Sequence, residues 1–213
     1  MFLNTCFIRL YGVLLYQLAK KLNKGVIVEV GSWQGKSTIW LAKGSQAGKK
    51  HVVYAIDPHT GSPEHKVRGK KVNTFKQFSE NIKKACMQKL IKPLVMTSQE
   101  AAKNFQYPIG LIFIDGAHEY AEVKKDFDIW YPKVVDGGWM VFHDTLESMW
   151  PGPRDVVNQF IYRSDKFKNV GFVGATTFAQ KTKHFTFYDF LNNHYLLMFR
   201  KLISFACRLF FLV

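Results

Sequence analysis

Cysteine is scarce in this chain. Its three cysteines, Cys6, Cys86 and Cys207, stand far apart and form neither a CxxC pair nor a Cys/His pattern with metal-ligand spacing. This scarcity argues against a disulfide framework and against a zinc knuckle, and it fits a reducing compartment. We therefore expect a cytoplasmic protein.

Uninterrupted apolar runs are also missing. Residues 2–18 are apolar except for Arg9, but no small-residue cleavage site follows, because Ala19 leads into Lys20 and Lys21. A secretory signal peptide is therefore not expected. No run reaches the roughly 18 apolar residues that a membrane-spanning helix needs.

Acidic residues are few for a chain of this size. The 16 Asp and Glu residues stand against 30 Lys and Arg residues, which gives a net charge of +14. Such a charge favours an anionic partner (nucleic acid, an acidic polymer or an anionic membrane surface), or it belongs to a solvated basic surface. The 213 residues, 47% of them hydrophobic, are enough for one globular domain.

Strands and helices are predicted to alternate along the chain. An N-terminal helix within residues 1–25 is predicted from Leu10, Leu14, Leu18 and Leu22, which recur every fourth residue. The main domain, residues 26–183, has predicted strands at 26–30, 51–57, 93–97, 111–115 and 139–144, helices at 39–43, 74–90, 98–104, 117–131 and 153–163, a turn at 134–138, and a hairpin of 170–173 with 176–180. This order predicts an α/β fold with a Rossmann-like, mainly parallel sheet, a C-terminal antiparallel hairpin and helices on both faces.

Two polar stretches of the main domain have simple interpretations. Segment 58–71 is rich in Gly, His and Lys and is predicted to be a loop, either a plain surface loop or one that closes over an acidic acceptor. Glu122, Asp126 and Asp128 follow helical spacing, which predicts a solvated helix face.

Polar residues and a glycine follow the ends of the predicted strands. They are Gly31, Asp57, Ser98, Asp115, His143 and Asp144. The carboxyl ends of parallel strands meet at one edge of the sheet, and ligands of such sheets bind there. The sequence therefore predicts a ligand site at this edge.

The first strand runs into a glycine-rich turn and a helix, a combination that holds anionic or nucleotide-like ligands. A P-loop is disfavoured because three residues, not four, separate Gly31 from Gly35. A dinucleotide loop is disfavoured because Trp33 stands where that loop needs glycine. Glu29 is placed to accept from an ammonium group, and Asp57 to accept both ribose hydroxyls. These positions favour S-adenosylmethionine, an adenosine ligand without a pyrophosphate.

Residues 26–180 resemble the class I S-adenosylmethionine-dependent O-methyltransferases. The motif Glu29-x-Gly31-x-x-x-Gly35-x-Ser37 resembles the first motif of the metal-dependent catechol O-methyltransferase-like enzymes, and Thr97-Ser98-Gln99 resembles their adenine-contacting segment. Asp115-Gly116-Ala117-His118, followed by Gly137-Gly138 and His143-Asp144, is similar to methyltransferase family 24 and the macrocin O-methyltransferase-like enzymes, many of which are linked to sugar substrates. The resemblance implies S-adenosylmethionine as cofactor and a set of residues that hold it: Glu29, Gly31, Ser32, Gly35, Ser37, Asp57, Ser98, Gln99 and Asp115.

A divalent metal site is predicted at the ends of two neighbouring strands. Asp115 and Asp144 offer carboxylates, which suit a hard ion such as Mg²⁺. His143-Asp144 stands where the catechol-type enzymes carry an aspartate–asparagine pair. His143 is either a third ligand, which suits a softer ion, or a side chain that points into the core.

His118 is the candidate general base. It follows Asp115 by three residues, at the position where the catechol-type enzymes have a lysine base. A neutral imidazole accepts a proton near pH 7, and Asp115 could orient it. The alternative is that Asp115 and His118 only cap the following helix.

The C-terminal segment, residues 184–213, is predicted to be a basic amphipathic helix. One of its sides gathers Asn193, Arg200, Lys201, Ser204 and Arg208. Such a helix lies on an anionic membrane surface, here the inner face, or packs against the second copy of a homodimer.

These features predict an S-adenosylmethionine-dependent O-methyltransferase that acts on a sugar, a glycan or another small hydroxylated acceptor, with metal or histidine assistance. A non-catalytic cofactor-binding or scaffolding module is the alternative. An RNA methyltransferase is less favoured because the Asn/Asp-Pro-Pro-Tyr motif for base nitrogens is absent. Nucleic acid is therefore not the expected partner.

Overall fold

The computed structural model describes residues 2–61, 72–146 and 151–211, with side chains from residue 10 to residue 203. Most of the predicted loop at 58–71 therefore lies outside the described residues. The helices are α1 (Phe2–Lys20), α2 (Lys36–Ala47), α3 (Phe75–Lys84), α4 (Ser98–Lys103), α5 (Tyr120–Trp130), α6 (Pro151–Val157) and α7 (Phe187–Phe211). A 3₁₀ turn (Tyr131–Lys133) follows α5, and a π-helical turn (Asn158–Tyr162) continues α6.

The strands form one sheet. They are β1 (Val26–Val30), β2 (Val53–Ile56), β3 (Ile91–Leu94), β4 (Ile109–Ile114), β5 (Val134–Phe142), β6 (Phe167–Val173) and β7 (Thr176–Lys181). Their order is β3-β2-β1-β4-β5-β7-β6. The first five are parallel, whereas β7 runs antiparallel to both β5 and β6. The predicted Rossmann-like sheet with its C-terminal antiparallel hairpin is confirmed.

The central strands are apolar throughout because helices cover both faces of the sheet. In β1, Val28 and Val30 point into a core that α4, α5, α6 and α7 also line. Ile27 points into the opposite core, which α1, α2 and α3 complete. Alternation of side chains along the strand explains why one apolar run serves both cores.

Three predicted boundaries are wrong for local reasons. Helix α3 ends at Lys84 rather than at residue 90, and Cys86 just beyond it has a left-handed φ of 57° that a helix cannot contain. Strand β3 begins at Ile91, before Pro93, because an edge strand tolerates proline. The predicted turn at 134–138 is the irregular first part of β5, where Gly137 has a φ of 79° and the pairing with β4 shifts register.

Helix α7 turns the predicted basic side toward the sheet. Asn193 is fully buried and its amide donates to the carbonyl of Phe167 at 2.9 Å. Arg200 is also buried, and its guanidinium donates to the carbonyl of Thr145 at 2.6 Å. Lys201 is exposed, and the side chains of Ser204 and Arg208 lie outside the described residues. Among the described side chains, the outward side of α7 is therefore mainly apolar, with Lys201 as an exposed cation.

Among the described residues, the structure holds no helix that combines the length and the apolar character needed to cross a membrane.

Candidate active site

A cavity of about 720 Å³ opens at the carboxyl edge of the sheet. It spans the ends of β1, β2, β4 and β5, and it includes the point between β1 and β4 where the strand order reverses, the usual ligand position in such sheets. Several predicted site residues line it: Gly31, Asp57, Ser98, Gln99, Asp115, His118, His143 and Asp144. The topology thus brings residues that are up to 113 positions apart, Gly31 and Asp144, to one cavity.

The glycine turn after β1 lets the backbone pass close to the end of β4. Gly31 has a φ of 88°, and a Cβ atom there would overlap the carbonyl oxygen of Asp115. Only glycine tolerates both conditions. Gly35 has a φ of 86° and precedes the first turn of α2. The turn therefore forms the floor of the cavity beside β4.

Asp57 is held rigidly at the end of β2. Its Oδ2 accepts from the backbone N–H of Trp33 at 2.8 Å, and its Oδ1 accepts from the backbone N–H of His59 at 2.6 Å. Each carboxylate oxygen has a second lone pair. The carboxylate can therefore accept from ligand hydroxyl groups in a fixed orientation.

Four predicted cofactor residues do not line the cavity. They are Glu29, Ser32, Gly35 and Ser37. Glu29 is fully buried, and its Oε2 accepts from the hydroxyl of Thr38. Burial raises the pKa of Glu29 to about 8. Glu29 thus contacts the first turn of α2, and its second oxygen, Oε1, has no hydrogen-bond partner among the described residues.

Two carboxylates and an imidazole meet at the ends of β4 and β5. Nδ1 of His143 lies 3.4 Å from Oδ1 of Asp115 and 3.1 Å from Oδ1 of Asp144. One ligand atom from each of the three residues lies within 4.8 Å of the others. His143 therefore faces the site and does not point into the core, one of the two alternatives that the sequence left open.

His118 also reaches this cluster. Its Nε2 lies 3.1 Å from Oδ2 of Asp144, so Asp144 stands between two imidazoles. The side chain that orients His118 is thus Asp144, whereas Asp115 was the sequence-based expectation. Helix α5 begins after Glu119, which is its N-cap residue, so capping by Asp115 or His118 does not explain their positions.

A family model described as a methyltransferase domain matches residues 28–145, more than half of the chain. The chain belongs to this methyltransferase family. Its sheet is that of the class I S-adenosylmethionine-dependent methyltransferases, as the sequence predicts.

Known proteins resemble this methyltransferase to different extents. Uncharacterized protein R132 of Acanthamoeba polyphaga mimivirus is 28% identical over 181 residues, which cover 80% of this chain and 77% of that protein. L-olivosyl-oleandolide 3-O-methyltransferase of Streptomyces antibioticus is 38% identical over 45 residues, 21% of this chain and 12% of that enzyme. The solved structure of the O-methyltransferase NovP has a TM-score of 0.70 at 17% identity and covers 81% of this chain and 80% of its own. At 17% identity, the similarity to NovP shows that the two proteins share a fold.

Charge is distributed unevenly over the methyltransferase's Asp/His cluster. Burial disfavours the charged imidazole of His143, but the adjacent carboxylates of Asp115 and Asp144 outweigh this and raise its pKa to about 10. Burial likewise opposes ionisation of Asp144, but the hydrogen bond with His118 and the adjacent imidazole of His143 hold its pKa well below the usual range. Burial raises the pKa of Asp115. A raised pKa favours a proton on His143 between the two carboxylates, which is where a metal cation would replace that proton.

Two residues of the site escape the sequence-based prediction. Tyr11 of α1 packs its ring edge-on to His143, with centroids 4.9 Å apart, and burial together with nearby carboxylates raises its pKa to about 12. No pattern in the sequence shows which strand end an N-terminal helix packs against. The sequence therefore could not predict that Tyr11 contacts His143.

Asp126 is the second such residue. The prediction that it lies on a solvated face is wrong, because Asp126 is only 4% exposed and lines the cavity, although Glu122 and Asp128 are exposed. A signal did exist, since Val123, Phe127 and Trp130 place Asp126 on the apolar side of α5.

Proposed function

We propose that this methyltransferase catalyses methyl transfer from S-adenosylmethionine to a hydroxyl oxygen, with a divalent cation bound by Asp115, His143 and Asp144. The observation that carries the proposal is the Asp115/His143/Asp144/His118 cluster on the wall of the same cavity that Gly31 and Asp57 line. One end of the cavity suits an adenosine group, and the other suits deprotonation of an alcohol.

The cofactor end fits an adenosine without a pyrophosphate. Asp57 presents a fixed carboxylate that can accept from both ribose hydroxyls. Trp33 projects at the glycine turn where a pyrophosphate would have to approach. S-adenosylmethionine supplies the reaction with a methyl group on a sulfonium, which leaves as a neutral thioether.

The metal end offers two carboxylates and one imidazole. This mixed donor set accommodates Mg²⁺ and also softer ions such as Mn²⁺. A bound cation would supply Lewis acidity, which lowers the pKa of an alcohol. His118, through Oδ2 of Asp144, would orient the carboxylate whose other oxygen faces His143.

The chain's own groups then account for the proton. In the tautomer that donates Nε2–H to Asp144, His118 has its lone pair on Nδ1. Nδ1 takes the hydroxyl proton as the acceptor oxygen forms its bond to the methyl carbon. The carbon–sulfur bond breaks with its electron pair on sulfur, so the products are a methyl ether and S-adenosylhomocysteine.

The acceptor class that we propose is a sugar or glycan hydroxyl. In support, a short segment of the chain matches an enzyme whose name states 3-O-methylation of an olivosyl compound. The half-open Asp/His cluster, with Asp115 and Asp144 about 30% exposed, leaves room for a polar acceptor beside the metal ligands.

A binding and turnover assay tests this function. Calorimetry should show that S-adenosylhomocysteine binds the full chain. S-adenosylmethionine with a panel of sugars and nucleotide sugars should then give methylated product with Mg²⁺ or Mn²⁺, and EDTA should abolish turnover reversibly. Binding without turnover on every hydroxylated acceptor would favour the non-catalytic alternative, and turnover that EDTA leaves unchanged would refute the metal.

A further inference from the structure

Asp126 is a buried carboxylate on the wall of the cavity. The proposed reaction does not use it. It projects from α5 and lies beside Ser98, which follows β3 at the opposite side of the cavity from the end of β5. Its Oδ1 is buried without a hydrogen-bond partner among the described residues. Because a buried carboxylate that is incompletely paired is costly, a ligand that donates a hydrogen bond to the carboxylate from the cavity would be favoured.

Ser98 is a polar neighbour of Asp126 on this wall. The indole Nε1 of Trp130 donates to Oγ of Ser98 at 2.8 Å. Burial raises the pKa of Asp126 to about 6, and the nearby hydroxyl of Ser98 opposes this shift. Asp126 therefore presents a carboxylate acceptor on this wall near neutral pH.

We infer that Asp126 accepts a hydrogen bond from the exocyclic amine of the cofactor's adenine and thereby makes the site selective for an adenine base. The inference rests on the proposed use of S-adenosylmethionine. Adenine offers an amine donor at this position, whereas hypoxanthine offers a carbonyl oxygen that a carboxylate repels. Gly116 lies next to Asp126, because a Cβ atom at Gly116 would be 3.9 Å from Oδ2 of Asp126. Since Gly116 has no side chain, it leaves space beside the carboxylate.

The test compares S-adenosylhomocysteine with S-inosylhomocysteine, in which the amine is replaced by a carbonyl oxygen. Calorimetry on the wild-type full chain should show about ten- to a hundredfold weaker binding of the inosyl compound, the usual effect of one hydrogen bond to a charged group. Asp126→Asn offers an amide that can donate to the carbonyl, so this variant should lose most of that preference or reverse it. Asp128→Asn is the matched control, because Asp128 lies on the exposed side of α5 and pairs with Lys124.

Each outcome decides the inference. Equal binding of the two compounds by wild type overturns it, whether or not Asp126→Asn folds. A preference that Asp126→Asn retains in full also overturns it, since another group would then recognise the base. If wild type does not bind S-adenosylhomocysteine, the proposed cofactor is refuted and the inference with it. If wild type binds S-adenosylhomocysteine but does not prefer it to the inosyl compound, only the inference is refuted.

A second observation, independent of the cavity, concerns the outward side of α7. Eight large apolar side chains are exposed there: Phe187, Tyr188, Phe190, Leu191, Tyr195, Met198, Phe199 and Leu202. At about 100° per residue these eight positions span roughly half of the helix circumference. We call them the apolar face of α7.

The width and the charge around this face indicate what covers it. A single partner helix needs a narrower seam of two apolar positions per heptad. A face of this width suits a helix that lies in the plane of a bilayer interface, with Tyr and Phe at the headgroup level. At the same spacing, Lys201 and His194 lie between Phe190 and Phe187 near one side of this arc, and the whole chain carries +14, so an anionic bilayer attracts the protein whereas a second copy repels it.

We propose that the apolar face of α7 docks the protein on an anionic membrane surface. The full chain should float with vesicles of phosphatidylcholine and phosphatidylglycerol and should not float with phosphatidylcholine alone. The triple variant Leu191→Ser, Met198→Ser, Leu202→Ser should partition at least about tenfold less, because it removes three apolar side chains from the bound face. Val95→Ser with Tyr107→Ser is the control, since both residues are exposed apolar positions outside α7.

Three results would overturn the membrane proposal. One is equal flotation of wild type and the triple variant. Another is equal binding to the neutral vesicles. A third is sedimentation analysis in which wild type is a stable dimer and the triple variant a monomer, because the face would then be covered by a second copy.

Discussion

The carboxyl edge of the sheet and helix α7 both collect polar side chains, but in opposite surroundings. At the edge, Asp115, His118, His143 and Asp144 contact one another on the wall of an open cavity. Under α7, Asn193 and Arg200 are buried against backbone carbonyls, and apolar residues face outward. Polar groups that face an open cavity remain available for a ligand, whereas those under α7 are used to hold the fold.

The two regions are physically linked. Arg200 donates to the carbonyl of Thr145, the residue that follows Asp144. Thr145 is itself tied to the last hairpin, through Ala175 and Thr177. Asp144 has a left-handed φ of 53°, a conformation that its surroundings must stabilise. The buried polar contacts of α7 therefore support the segment that presents Asp144 to the site.

The largest expected effect is on catalysis at the edge. His118→Ala removes the proposed proton acceptor, so kcat should fall by about 10² to 10⁴. Affinity for S-adenosylhomocysteine should stay within about threefold of wild type, because the cofactor is held elsewhere. His184→Ala, which changes an exposed histidine outside the cavity, is the control. Unchanged turnover in His118→Ala would remove the base from the mechanism.

The next effect is on stability under α7. Arg200→Ala strands the acceptors at Thr145 and Asn158 and removes a cation that lies 5.0 Å from the centre of the Tyr162 ring. The free energy of unfolding should fall by about 3 kcal/mol, and Tm by about 6 to 12 °C. Lys201→Ala, the exposed neighbour, should change stability by less than about 0.5 kcal/mol. Similar losses from both variants, measured by denaturant unfolding, would mean that burial of the guanidinium is not the cause.

A smaller difference is expected between two glycines with positive φ. Gly31→Ala brings a Cβ against the backbone of Asp115, whereas Gly137→Ala meets only the amide of Gln180 at 3.9 Å. Both variants share the backbone strain, so Gly31→Ala should be about 2 kcal/mol less stable than Gly137→Ala because of the overlap alone. It should also weaken S-adenosylhomocysteine binding. Equal stability of the two variants would show that the turn and β4 do not meet closely.

The last effect is a pH dependence of stability in the metal-free protein. The pKa of His143 is raised to about 10 in the folded chain, above its usual 6.5. Its contribution to stability is therefore fully present below about pH 6.5 and is lost as the pH rises toward 10. Glu29, with a pKa raised to about 8, produces a similar loss at lower pH.

The interval from about pH 8 to 10 isolates His143. Urea unfolding across this interval should show stability declining in wild type and much less in His143→Gln. Saturating Mn²⁺ should flatten the wild-type curve, because the metal replaces the proton. Parallel declines in the two proteins would assign the loss to another group.

The sequence predicts the edge of the sheet better than it predicts the helices. Residues that end parallel strands must meet, so the positions of Asp57, Asp115 and Asp144 follow from chain order alone. Which group faces which depends on rotamers and backbone turns, and that is why the pairing of His118 with Asp144 rather than Asp115 needs the structure.

The helices show that periodicity alone does not predict which side of a helix is buried. In α7, Asn193 and Arg200 share a side with the buried Leu197, and a helical wheel shows that they cluster but not what covers them. The usual rule, apolar inside and polar outside, is reversed because the carbonyls of Phe167 and Thr145 and the side-chain oxygen of Asn158 accept from these polar groups. In α5, helical spacing likewise did not show that Asp126 is buried.

One measurement tests the central claim most directly: a crystal structure with S-adenosylhomocysteine and Mn²⁺, inspected for anomalous scattering. We predict a manganese peak bound by Asp115, His143 and Asp144, with the ribose hydroxyls on Asp57 in the same cavity. Bound S-adenosylhomocysteine with no manganese at the three side chains would contradict the metal-assisted mechanism. S-adenosylhomocysteine bound away from Asp57, or not bound at all, would contradict the assignment of the cavity itself.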